Sequence, residues 1–183
     1  MFDTLLSQLH TTPFELFVQA LGFVAFTISI SSYQFKSQRK MFGMRVCSDM
    51  VWTVHYFLLG ALVPSLAVAI AFTRTFLVVF VIPQYKTYVI ITAISAIFLM
   101  TLLTGPGYWA NWLPAVSAII YGFAFYFHED YLKSRIFMGL GLMFWLTIGV
   151  VFGSVAEIVS STVGLTSLLV GMHRHLRGIH PKP

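Results

Sequence analysis

Apolar positions along this chain fall into seven long runs, at approximately 14–35, 46–61, 64–83, 88–104, 112–127, 136–152 and 155–172. The runs are nearly free of charge and approach the ~20 residues that a helix needs to cross a bilayer. Soluble domains instead keep their apolar residues in short periodic stretches. The breaks are chemically marked. Gly105-Pro106-Gly107 forms a loop, Gly60 to Pro64 separates the second and third runs, and Pro83-Gln84-Tyr85-Lys86 ends the third. Two run starts carry capping boxes, Thr12-Pro13-Phe14-Glu15 and Ser154-Val155-Ala156-Glu157. Each supplies partners for helical N–H groups that lipid leaves unpaired. The pattern predicts an all-α polytopic membrane protein with seven transmembrane helices.

Composition agrees: 58% of the residues are hydrophobic and only 9% charged, against roughly 25% charged in a soluble domain. The formal charge of +5 is a topology signal. Lys36, Arg39, Lys40, Arg45, Lys86, Lys133, Arg135, Arg174, Arg177 and Lys182 all fall on one side of a seven-span chain. By the positive-inside rule that side is cytoplasmic, which puts the N-terminus outside and the C-terminus inside. This placement argues against nucleic acid as a partner and for the lipid bilayer. Tyr108, Trp109 and Trp112 suit the outer interface. The first residues contain Asp3 and no Lys or Arg, so a cleaved signal peptide is not expected. The single cysteine, Cys47, excludes an internal disulfide.

Runs one to three and five to seven share one layout: an outside start, a basic inner loop and a short outer turn. Trp52 precedes Gly60, and Trp145 precedes Gly153, by the same eight residues. The chain therefore reads as a 3+1+3 parallel repeat of triple-helix bundles. Residues 1–83 hold the first bundle, 84–111 the linker helix, 112–173 the second bundle and 174–183 a cytoplasmic tail. Parallel repeats place solute sites between the halves at mid-membrane.

This layout resembles the SWEET and PQ-loop (MtN3-like) transporter superfamily. Val54-His55-Tyr56-Phe57-Leu58-Leu59-Gly60, followed by Ala71-Phe72-Thr73-Arg74, is similar to the YgjV-type bacterial inner-membrane proteins. The resemblance implies a multi-pass protein of the bacterial inner membrane. The chain departs from SWEET-like proteins where those bend a helix at Pro-Gln: here the residues are Tyr33-Gln34, and the counterpart lies near Phe125-Tyr126. Their third-helix Asn is replaced by Val68 and Ser161.

Arg74 is the most informative residue, because a charge within a span costs ~2.5–3.5 kcal/mol on insertion scales and turns inward toward a partner. It reads as an anion anchor in a solute pathway, a structural pair or a snorkelling side chain. Ser48, Asp49, Trp52, His55 and Tyr56 share one helical face, and Asp49 lies at a depth that allows pairing with Arg74. His55 could relay protons or, as the favoured reading, bond a backbone carbonyl. Trp52 and Trp145 could stack on a ligand from opposite halves or serve packing. In the second half the equivalent face is Gly141, Leu142, Trp145, Ile148 and Gly149, so a central pocket would be polar on one side and apolar on the other. That suits an amphipathic or aromatic solute better than a sugar. Glu157 is explained by its capping box. Gly149-x-x-x-Gly153 suits packing inside the chain, and homo-oligomerisation stays open.

The expected substrate-binding set is Asp49, Trp52, His55, Tyr56, Arg74, Trp145 and Ser161. Neither a metal nor a cofactor is expected: His173, His175 and His180 lack a four-ligand zinc pattern. No nucleophile–base motif points to an enzyme. The leading function is a small-solute transporter or facilitator. The alternative is a non-transporting membrane interaction or accessory subunit.

Overall fold

A computed structural model of the chain describes residues 12–32, 38–127 and 130–177. Lys36, Tyr33-Gln34, His180, Lys182 and the first eleven residues lie outside them. Among the described residues there are seven α-helices: α1 Pro13–Ser32, α2 Gln38–Leu58, α3 Leu62–Phe76, α4 Lys86–Thr104, α5 Leu113–Tyr126, α6 Tyr131–Val151 and α7 Val155–Leu176. A π-helical turn, Leu77–Val81, extends α3, and short 3-10 turns precede α4 and α5. Five helical stretches are long and apolar enough to cross a membrane: Pro13–Ser32, Leu62–Val81, Lys86–Thr104, Tyr131–Val151 and Val155–His173. The other two helices differ for plain reasons. α2 carries Arg39, Lys40, Arg45 and Asp49, and α5 has only 14 residues, about 21 Å of helix.

The basic residues expected between the first two runs are largely helical. α2 begins at Gln38, eight residues before the apolar run, and takes in Arg39, Lys40 and Arg45. Lys133 and Arg135 likewise lie in the first turns of α6, and Lys86 opens α4. A helix continues past the lipid boundary, whereas hydropathy marks only the part that lipid covers. Asp130 caps α6 by accepting the Lys133 N–H at 3.0 Å, and this bond holds its carboxyl below the usual carboxylate range. At α1, Thr12 and Glu15 form the complete reciprocal box, at 2.8 and 3.3 Å.

α2 packs on both α1 and α3, and α6 on both α5 and α7. α4 lies along α3 and α5. The halves meet where α1 touches α7 and where α3 touches α5. Gly60 and Gly153 end α2 and α6 with φ of 74° and 70°, in the left-handed region that a Cβ disfavours by roughly 1–2 kcal/mol. Each turn closes with a bond from the residue after the glycine, Ala61 N–H to Tyr56 O and Ser154 N–H to Gly149 O. Gly153 is thus a helix terminator. Gly149 does the packing: a Cβ there would lie 3.1 Å from Glu157 Cβ on α7. Gly153→Ala is expected to cost about 1 kcal/mol, read as a lower thermal midpoint in detergent, while Gly139→Ala, which meets nothing closer than 4.0 Å, shifts it little.

Candidate functional site

The inward face of α2 builds the site in three levels. At the α6–α7 turn, His55 is fully buried, with Nδ1 2.8 Å from Val18 O on α1 and Nε2 2.7 Å from Ser154 Oγ. Val18 O only accepts, so Nδ1 carries the proton. In the neutral ring Nε2 is then the acceptor, so the Ser154 hydroxyl donates to it while Ser154 Oγ accepts the Glu157 N–H at 3.1 Å. Gln19 grips the same turn: Nε2 donates to Gly153 O at 2.8 Å and Oε1 accepts the Val155 N–H at 3.1 Å. Both His55 ring nitrogens are thereby engaged in fastening α1 and α2 to the start of α7.

One level further in, Tyr56 is fully buried, with the rings of Trp52 and Trp145 centred 5.9 and 5.7 Å from its own. The two tryptophans meet across the halves by packing on Tyr56. Trp52 also holds the His55 ring edge-on at 5.2 Å. Glu157 reaches this level from α7. It is 7% exposed, and its Oε1 accepts the hydroxyl of the fully buried Ser161 at 2.6 Å. The buried Tyr56 Oη faces the Glu157 carboxylate and interacts with it, just outside the geometry of a fully formed hydrogen bond. Glu157 is the residue that sequence reasoning assigned otherwise. Only half of its capping box forms, because the Ser154 N–H that its carboxylate would accept is already spent on Gly149 O. The other half of the side chain's capacity turns into the core.

The third level is charged. Arg45 donates from Nη1 to Ser29 Oγ on α1 at 2.9 Å. Asp49 lies within electrostatic reach of both Arg45 and Arg74, the latter a pairing that their comparable depth allowed. Glu157 is in reach of Arg45 and Asp49 in turn. Arg74 is 8% exposed and also feels Tyr121 on α5. A cavity of about 40 Å³, roughly one water in size, lies beside it and is lined by Arg74, Ser117, Tyr121 and Trp145 among others. Asp49, Trp52, His55, Tyr56, Arg74, Trp145 and Ser161 therefore all lie along one inward strip of the molecule, though at different levels. Gln19, Arg45, Tyr121, Ser154 and Glu157 join them. A polar side chain within an apolar run was the available signal for Gln19. The i, i+4 spacing to Ser161 was the signal for Glu157. Among the described residues no group of three or more His, Cys, Asp or Glu side chains could hold a metal ion.

The family model described as bacterial inner membrane protein, Imp-YgjV, matches residues 16–178. The chain belongs to this family. It is a protein of the bacterial inner membrane, which accords with its five membrane-length apolar helices. No curated protein and no solved structure matches it. The matched region spans every residue of the three levels.

Proposed function

We propose that this family member is a small-solute facilitator, with its site between two helix triplets. All seven helices cross in a 3+1+3 arrangement, with the N-terminus outside and the basic ends in the cytoplasm. The reciprocal contacts support the repeat: α1 with α7 and α3 with α5 are the pairs that a two-fold relation between triplets would exchange. With Trp52 aligned on Trp145, Ser48 aligns on Gly141 and Ala25 falls within one residue of Ser117. Ser48 Oγ donates to Ala25 O at 2.7 Å, and Ser117 Oγ faces Gly141 O at 3.5 Å. The same helix-to-helix bond thus recurs with donor and acceptor exchanged.

One observation carries the transport reading. Tyr56 on α2 brings a buried hydroxyl to the Glu157 carboxylate of α7 in the interior of the bundle, and an ionisable group within membrane helices is a functional candidate by default. Glu157 in turn lies within electrostatic reach of Arg45 and Asp49 on α2, so ionisable groups from both triplets are linked there, as in solute pathways. Arg74 and the aromatic walls favour a small aromatic carboxylate as the solute. The pathway is closed in this conformation, since the cavity beside Arg74 holds only about 40 Å³.

Tyr56→Phe is expected to leave the protein folded while reducing benzoate uptake into proteoliposomes at least tenfold. Unchanged uptake in that variant would remove the central site from the pathway. Wild-type uptake no faster than in empty liposomes, for benzoate and for a panel of small carboxylates, would sink the transport reading in favour of an accessory subunit.

A further inference from the structure

Beside Arg74, the packed helices α3 and α4 leave between them a groove of about 490 Å³ that is open along one flank. This volume lies in the ~300–1,000 Å³ range of ligand sites. The walls are almost wholly apolar, with Leu66, Ala69, Ile70 and Leu77 from α3 and its π turn, and Val89, Ala93 and Ala96 from α4. Small residues facing each other across two membrane helices ordinarily draw the backbones together. Here Ala69, Thr73, Thr92, Ala93 and Ala96 line a gap. The π-helical turn Leu77–Val81 widens α3 at one end of the groove, where Tyr85 and Tyr88 also line it. Turns of this kind are frequent at functional sites. The single charge in the lining is Arg74, with Thr73 and Thr92 also contributing hydroxyls.

We infer that this groove binds a long-chain carboxylate, a fatty acid, with its head group on Arg74 and its chain along the alanine-lined walls. The guanidinium has five N–H donors in a planar fork suited to a carboxylate, so it can serve a ligand as well as Asp49. Groove and charge match the two ends of such a molecule. From Arg74 to Leu66 the groove offers eight residues of α3, about 12 Å of apolar wall. Depth selects a fatty acid over a phospholipid. Arg74 lies seven residues before Val81, about 10 Å along the helix. A two-chain lipid keeps its phosphate at the interface, whereas a small carboxylate can enter a neutralising site. This inference shares Arg74 with the central pathway but not the assay: binding is read in detergent without any flux, so either reading can fail alone.

The test is a thermal-shift titration of the full chain in maltoside detergent with palmitate, methyl palmitate and phosphatidylglycerol. Palmitate is expected to raise the midpoint saturably, and its methyl ester to bind at least tenfold more weakly. Arg74→Gln should bring palmitate down to the level of the ester. Ala69→Phe, which fills the groove and leaves the charge in place, should abolish both. Equal binding of acid and ester by the wild-type protein would overturn the inference without recourse to any variant. So would undiminished palmitate binding by Ala69→Phe, or phosphatidylglycerol displacing palmitate at lower concentration, which would assign the groove to a bilayer phospholipid.

Discussion

Gly22→Leu is expected to leave almost no folded protein. Gly22 sits on α1 where that helix comes closest to α2 and α7. A Cβ there would lie 2.6 Å from Ala156 Cβ and 2.7 Å from His55 Cε1, closer than carbon atoms approach. Neither neighbour can move aside. Ala156 is a backbone-anchored stub with no exposure, and the imidazole is tied at both nitrogens. Relief requires α1 to move away, which also breaks the Gln19 bonds to the α6–α7 turn and the His55 bond to Val18 O. Overpacking alone costs about 1–3 kcal/mol, and the lost bonds add about 1 kcal/mol each, so the total reaches the lower end of the roughly 5–15 kcal/mol margin of a small protein. Fluorescence-detected size exclusion of the extracted protein should show a collapse of the monodisperse peak. Val24→Leu, an exposed position on the same helix, should keep it. A normal peak for Gly22→Leu would mean that the helices do not approach as closely as described.

His55→Ala should lower stability by about 3 kcal/mol. Two buried hydrogen bonds are lost at about 1 kcal/mol each, and removing the ring leaves unfilled space between Trp52 and Tyr56. Ser154→Ala should cost about half as much, since it loses one of those bonds and a helix cap. The double variant should cost less than the sum, because the two changes share a bond. Chemical denaturation in detergent measures all three. Strict additivity would contradict the direct contact. Full stability of His55→Ala, together with an altered pH dependence of flux, would instead favour a proton relay.

Much of this was readable from the chain. Lipid imposes long apolar runs, and the seven runs became seven helices with their breaks near the expected glycines and prolines. The common helical face of Asp49, Trp52, His55 and Tyr56 followed from the 100° turn, and the comparable depth of Asp49 and Arg74 from their distances to the ends of their runs. Other features escaped for physical reasons. The start of α2 lies eight residues before its apolar run because charged turns can stay helical in water. Glu157 carries the same local pattern as Glu15, yet only Glu15 reaches back to its cap. What decides between them is the Gly153 turn, which consumes the Ser154 N–H. No local pattern records a competitor brought in by a glycine in the left-handed region. Gln19 makes its bonds to residues 134 and 136 positions away, beyond the reach of any periodicity. Trp52 and Trp145 were recognisable as a pair, but the Tyr56 ring between them was not, since its placement depends on how the halves meet.

The grip of Gln19 and His55 on residues 153–155 has a consequence for how the protein is made. α1 and α2 leave the ribosome before the turn they hold. Until that turn is made, the Gln19 amide and one nitrogen of the His55 ring, both destined for the interior, wait in the bilayer with their bonds open. Residues 153–155 then fasten α1 and α2 onto the start of α7. A nascent chain stopped before Gly153 lacks the fastening and presents unsatisfied polar groups to lipid, the kind of feature by which a cell tells an unfinished membrane protein from a finished one.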